Sequence, residues 1–236
     1  IFDARLDKTL GNVASAEEEE PFRFKDLTKV FGSGIFWVVA LLCVLYYSAI
    51  FPFQKFATNM LETNLGLSAE TASAIFSYFP IGAMIITPFL GAFLDFKGKG
   101  ATMLMLGSVL MIVCHTIFAL YPFVAGDTTS TIIAYSAIVL LGISFSLVPA
   151  ALWPSMPKLI DGKVLGSAYS ATFWIQNVGL MVVPIVIGKV LDQTGTYRLP
   201  MLIFASFGVA ALLLSLYLKA IDKKKGYGLE LPNKKK

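Results

Sequence analysis

Six side chains with hydrogen-bonding groups stand inside stretches that otherwise carry almost no charge: Tyr46, Tyr47, Trp153, Trp174, Gln176 and Asn177. They supply phenol hydroxyls, indole N–H donors and primary amides. Such groups hold a small polar molecule by hydrogen bonds and aromatic contact, and do not break its bonds. Reaction chemistry finds little support. The single histidine, His115, and the two cysteines, Cys43 and Cys114, have no metal-ligand spacing. No nucleophile has a base at useful spacing, and no glycine loop could cradle a phosphate. The residues therefore imply no enzyme, no metal site and no cofactor.

A second pattern is mechanical. Gly91-Ala-Phe-Leu-Asp95-Phe-Lys97-Gly98-Lys99 contains Gly-x-x-x-Asp-x-x-Gly, and so does Gly188-Lys-Val-Leu-Asp192-Gln-Thr-Gly195. Gly91 would let a neighbouring helix come close. Asp95 could accept hydrogen bonds at an adjacent helix N-terminus, where the dipole favours an anion. Gly98 permits a tight turn, and Lys97 and Lys99 stay among lipid headgroups. Gly91, Asp95, Gly98 and Lys99, repeated in part by Gly188, Asp192 and Gly195, thus read as a conformational latch. The plain alternative is an ordinary helix-end turn.

The elements that hold these residues are apolar runs. Hydrophobic residues make up 56% of the chain and charged residues 14%, with a mean hydropathy of +0.73, where a soluble domain carries about 25% charged residues. Charge is nearly absent from 35–54, 71–94, 101–126, 128–157, 164–187 and 199–218. Each run approaches or exceeds the roughly 20 residues that cross a bilayer as a helix. Lipid offers no partner for an open backbone, so six transmembrane helices follow. The repeated motif lies three spans apart and so faces opposite sides. The expected fold is an all-α membrane protein of two inverted three-helix repeats, an arrangement that transporters use for alternating access.

Three regions follow: a polar linker over residues 1–34 with a possible interfacial helix, a membrane domain over 35–219, and a basic tail over 220–236. Phe24, Leu27 and Phe31 recur at helical spacing among Arg23, Lys25 and Lys29, which fits a short helix lying in the interface, or a solvated linker. Sixteen of the nineteen lysines and arginines fall on the side of the two termini; Lys55, Lys189 and Arg198 fall on the other. That asymmetry predicts both termini in the cytoplasm. The net charge of +4 is a topology signal with affinity for the bilayer's anionic headgroups, and calls for no nucleic acid.

Gly91, Asp95, Gly98 and Lys99 resemble the signature loop of the major facilitator superfamily, with Phe96 where an arginine usually stands and Lys97 able to supply the charge. The resemblance implies twelve spans in two halves. Linker, six spans and basic tail match the second half, so an N-terminal six-helix half of the same protein is the implied partner. Three further stretches resemble the lysosomal dipeptide transporter branch and its bacterial relatives: Tyr46-Tyr47-Ser-Ala-Ile-Phe51-Pro52-Phe53, Ala151-Leu152-Trp153-Pro154, and Leu165-Gly166-Ser-Ala168-Tyr169 with Ile175-Gln176-Asn177-Val-Gly179-Leu180. That branch implies a dipeptide-like substrate, uniport and, in animals, an accessory subunit. The ending at Gly188–Gly195 also resembles monocarboxylate and oxalate/formate porters, so a small organic anion stays open as cargo. A non-transporting six-span protein is the third reading.

In that fold the first, second, fourth and fifth spans of a half line the cavity. Depth along the helices then puts Tyr46, Tyr47, Trp174, Gln176 and Asn177 near the midplane, with Ser144 and Ser146 close to it. Each either meets substrate or ties helices together, and Gln176 and Asn177, being adjacent, cannot both face the cavity. Trp153 before Pro154 is either a hinge or a packing residue. His115, in the peripheral third span, reads as the maker of a structural hydrogen bond rather than as a proton site. Lys55 either snorkels to the outer interface or attracts a substrate carboxylate. Short loops favour a bacterial cytoplasmic membrane, with the lysosomal membrane as alternative.

Overall fold

The computed structural model describes residues 24–233, so the acidic run at 17–20 and most of the linker lie outside the described residues. The first helix is short, Phe24–Phe31. Six long ones follow: span one Gly34–Leu65, span two Ala69–Lys97, span three Gly100–Leu120, span four Thr128–Leu159, span five Leu165–Thr194 and span six Arg198–Lys225. All six are long and apolar enough to cross a membrane, and no strand occurs among the described residues.

Two boundaries differ from the sequence reading. Span one does not stop near Gln54; it runs through Pro52 to Leu65 and ends on Gly66 at φ 66°. Phe53, Ala57, Met60 and Leu61 are buried along this extension, so an apolar stripe continues past the charge at Lys55 and keeps the helix packed. Span three ends earlier, at Leu120. Residues 121–127 form a turn in which Asp127 caps span four, its carboxylate accepting from Ser130 N–H at 2.7 Å. That bond holds the Asp127 carboxyl below its ordinary pKa.

Helix ends follow local chemistry. Ser68 caps span two through Thr71 N–H. Gly98 and Gly195, the last glycines of the two repeated motifs, close spans two and five at φ 76° and 64°. Exposed Lys99 is the one described non-glycine residue at positive φ, 75°, a conformation that something must hold in place.

The packing is symmetric under exchange of the first three spans with the last three. Span one leans on span five as span four leans on span two; span three packs on span four as span six packs on span one; and spans three and six, like one and four, pair with each other. This is the pattern expected of two inverted three-helix units. Small residues set the closest approaches. A Cβ on Gly208 would stand 2.7 Å from Ile112 of span three, and one on Gly179 2.7 Å from the Ser48 hydroxyl of span one.

Burial is uneven. In the most apolar stretch of each helix, 56% of span one and 50% of span four is buried, against 17% of span two and 11% of span five. Spans two and five therefore present most of their apolar surface outward, with Phe89 72% exposed. The short helix Phe24–Phe31 packs on span five and the turn before it. Val30 is buried, and the Trp37 indole donates to the Phe31 carbonyl at 2.8 Å.

Replacing Gly208 by alanine should overpack the span three–span six contact and cost about 1–3 kcal/mol, seen as a lower unfolding midpoint of the detergent-solubilised protein. Gly162→Ala, where a Cβ meets nothing within 4 Å, should leave the midpoint in place.

Candidate functional site

Adjacent residues on a helix point about 100° apart, and Tyr46 and Tyr47 divide accordingly. Tyr46 is fully buried. Its hydroxyl reaches the Leu104 carbonyl and the Ser108 hydroxyl of span three, and the Ser215 hydroxyl of span six. It is the polar hub of the one–three–six interface, and its hydroxyl partners are none of the other candidate residues. Tyr47 is half-buried and turned towards Trp153 of span four.

Around Tyr47 the structure builds an aromatic seam. The Trp153 indole donates to the Tyr47 hydroxyl at 3.1 Å. Trp153 stacks on Phe173 of span five with ring centroids 4.7 Å apart and lies 6.0 Å from the Tyr169 ring. The Tyr169 hydroxyl donates to the Trp153 carbonyl at 3.0 Å. Pro157 has no N–H to bond that carbonyl within the helix, so the tyrosine supplies the missing donor. Tyr47 stacks on Phe51 at 5.5 Å, and the row continues through Phe145 of span four to Phe79 and Phe76 of span two. Four spans thus contribute to one aromatic strip.

The strip can bind without reacting. Tyr47 accepts from Trp153 and keeps its own hydroxyl proton for a further acceptor. The ring faces offer apolar and cation-binding surface. Tyr169 and Phe173, and likewise Tyr47 and Phe51, are four residues apart, so each pair shares a helix face. That spacing was the available signal for Tyr169, Phe173 and Phe51, which depth along the helices left out of the candidate set; Phe145 has no aromatic partner at that spacing and becomes visible only through its ring contacts.

The remaining candidates fall on different surfaces. Gln176 is 7% exposed and accepts from the Cys43 thiol at 3.0 Å, tying span five to span one. Asn177 is exposed, one turn beyond Phe173, and donates to the Phe173 carbonyl at 2.8 Å. One amide of the adjacent pair therefore faces in and the other out. Trp174 is 69% exposed, on the uncovered face of span five. Ser144 bonds the Gly107 carbonyl of span three, and Ser146 bonds Gly142 and Ala83; both are buried helix ties. His115 is buried between the Phe53 and Phe204 rings, 5.2 and 5.3 Å away, and neither ring nitrogen has a hydrogen-bond partner among the described residues, so aromatic packing holds it in place of the expected hydrogen bond. Lys55 is exposed on the side of span one. Cys43 and Cys114 are buried free thiols, and no metal-binding cluster occurs among the described residues.

The motif residues lie at helix ends, away from the seam. A Cβ on Gly91 or Gly188 would meet nothing within 4 Å, so the close helix approach expected at Gly91 is not made within this chain. Asp95 is half-buried and accepts from the Asn233 side chain at 3.4 Å. Asp192 is exposed.

Residues 36–234 match the Major Facilitator Superfamily model, and the chain belongs to that family. It is 29% identical to the lysosomal dipeptide transporter MFSD1 of Bos taurus, over 99% of this chain and 48% of the relative. It is 30% identical to the Danio rerio protein of the same name, over 98% of this chain and 49% of the relative. A probable sulfoacetate transporter, SauU, of Cupriavidus necator is 30% identical over 75% of this chain and 41% of that protein. The chain spans about half the length of the curated relatives it matches. It is thus an integral, multi-pass membrane protein of a transporter family, built as half of that family's fold.

Tyr46→Phe should cost about 1 kcal/mol of stability through loss of its buried hydroxyl, while leaving the affinity for any ligand of the seam unchanged. Thermal unfolding and ligand titration of the same preparation check this together.

Proposed function

We propose that this chain is the second six-span half of a secondary transporter, that its seam of Tyr47, Trp153, Tyr169 and Phe173 faces the substrate, and that the substrate is a dipeptide. One observation carries the reading: a half-buried aromatic strip, with a hydroxyl proton to donate, runs across four spans. Polar groups at that depth are expensive unless they serve contacts or a cavity, and Tyr46, Ser144, Ser146, Gln176 and Asn177 each find a hydrogen-bond partner within the chain. A dipeptide combines amide acceptors with an amine and variable side chains. Hydroxyl donors suit the acceptors, ring faces suit the amine and apolar side chains, and loose aromatic contact tolerates variation.

Four of the expected contact residues take graded roles. Tyr47 and Trp153 touch substrate, and Asn177 and Trp174 border it on the outward face of span five. Gln176 and Tyr46 act through packing instead. The exposed apolar faces of spans two and five fit an N-terminal six-helix half of the same protein, with substrate held between the halves and moved by rocking. Gly91, Asp95, Gly98 and Lys99, with Gly188, Asp192 and Gly195, act as latches at the two ends. Asp and Glu are absent from the middle of all six spans, which favours uniport. Both termini are placed in the cytoplasm, in a bacterial cytoplasmic or a lysosomal membrane, with an accessory subunit in the second case.

A small organic anion is the competing cargo, favoured by the sulfoacetate relative. The test is uptake of a labelled dipeptide into liposomes holding the complete protein, with and without a pH gradient, and with sulfoacetate and monocarboxylates as competitors. Saturable uptake indifferent to the gradient and to the competitors is the expected result. Uptake of the anion without the dipeptide would overturn the cargo assignment. Trp153→Ala should raise KM about tenfold, the loss of one stacked, hydrogen-bonded aromatic. Asp95→Ala should lower the maximal rate and leave KM nearly unchanged.

A further inference from the structure

The strongest feature outside the seam is a strap. After span six ends on Gly226, the chain turns back and residues 226–233 lie across the signature turn between spans two and three. Gly100 N–H donates to the Leu229 carbonyl at 2.9 Å, and Lys99 N–H to the Glu230 carbonyl at 3.1 Å. There is no slack. A Cβ on Gly98 would stand 2.4 Å from the Leu231 carbonyl carbon, and one on Gly100 2.9 Å from the Leu229 oxygen.

Every neighbouring element grips the strap. Leu229 is buried, and its N–H donates to the Asp222 carboxylate of span six at 3.0 Å. The Lys158 ammonium of span four donates to the Gly228 and Leu231 carbonyls, each at 3.1 Å. Asn233 N–H donates to the Leu94 carbonyl of span two at 3.3 Å.

Glu230 is the centre of this contact. Its carboxylate accepts from Thr102 N–H at 2.8 Å, in the first turn of span three, and from the Thr102 hydroxyl. Lys99 and Lys219 stand 3.7 and 3.9 Å away, and Lys219 also donates to the Thr102 hydroxyl. The first N–H groups of a helix have no partner within it and favour an anion. In this structure the strap brings that anion.

We propose that Glu230 is a positioning residue for the signature turn: it caps span three from the tail, seats the strap, and so holds Gly98 and Lys99 at their positive φ angles. Lys99 is the telling case, because a side-chain-bearing residue at positive φ needs outside contacts to stay there. Its N–H and its ammonium both meet Glu230. The strap also joins spans two, three, four and six at the end of the bundle that carries both described termini, and any opening of that end must carry or release it. The consequence for transport rests on the functional reading above; the ordering of the turn does not.

Hydrogen exchange of the complete, detergent-solubilised protein tests the ordering without substrate. In Glu230→Ala, the amides of Lys99, Gly100 and Thr102 should exchange about tenfold faster, the loss expected for a charge-assisted bond, with span one unchanged as the control for folding. Glu230→Gln, which keeps an acceptor for Thr102, should fall between. Gly100→Ala should match Glu230→Ala by a separate route, since its methyl evicts Leu229 without touching Glu230. In liposomes, Glu230→Ala should change the maximal uptake rate severalfold and leave KM unchanged. Wild-type exchange at these amides in both Glu230→Ala and Gly100→Ala would overturn the proposal; faster exchange with an unaltered maximal rate would uphold the ordering of the turn and overturn its consequence for transport. If the wild-type protein moves no dipeptide, the transport reading fails while exchange still decides whether Glu230 orders the turn.

Discussion

A bilayer offers no water to backbone or side-chain polar groups, so the protein must satisfy them itself. The rest of this structure depends on that constraint. It explains why Thr87, Thr172 and Ser155 fold their hydroxyls back onto carbonyls one turn earlier in their own helices, the usual solution for such residues in an apolar environment. It explains the Tyr46 hub, where one phenol serves three helices. It also bears on the seam, where the Trp153 indole spends its one donor on the Tyr47 hydroxyl and that hydroxyl keeps a proton to donate, the group that the proposed function turns towards substrate.

The six spans were legible from charge-free length, and the glycine–aspartate repeat announced the inverted halves that the packing pattern displays. The ends of the helices were less legible. Charge at Lys55 looks like a terminus, but buried Phe53, Ala57, Met60 and Leu61 carry span one on to Leu65. Direction around a helix axis was the larger gap. Depth alone placed Tyr46 beside Tyr47, and only the contacts with Ser108 and Ser215 show that Tyr46 faces the interior of this half. The aromatic pairs spaced by four could have been read from the chain. The strap could not: nothing in a short polar tail says that its one glutamate will return to the start of a helix more than a hundred residues earlier.

Two regions therefore divide the work. The seam lies among spans one, two, four and five, and the outward faces of spans two and five remain apolar and open. The strap ties the ends of spans two, three, four and six at one end of the bundle. Spans three and six, packed on each other behind both, form a backing that the symmetric exchange of the two three-helix units maps onto itself. A bundle stiffened at its back, exposed on spans two and five, and pinned at one end by the strap offers the parts that the proposed rocking motion would use. The prolines within spans one, two, four and five, at 52, 80, 88, 149, 154, 157 and 184, add bending points on the seam's side of that backing; spans three and six, apart from Pro200 in the first turn of span six, have none in their interiors.

The central claim is that substrate meets the seam. The most direct measurement is covalent mapping: irradiate the complete protein with a dipeptide carrying a benzophenone side chain, then locate the label by peptide mass spectrometry. Label is expected at Trp153, Phe173 or Tyr47, removed by excess unlabelled dipeptide. Label confined to the outward faces of spans three and six, at Val109 or Leu213, or insensitive to competitor, would contradict it.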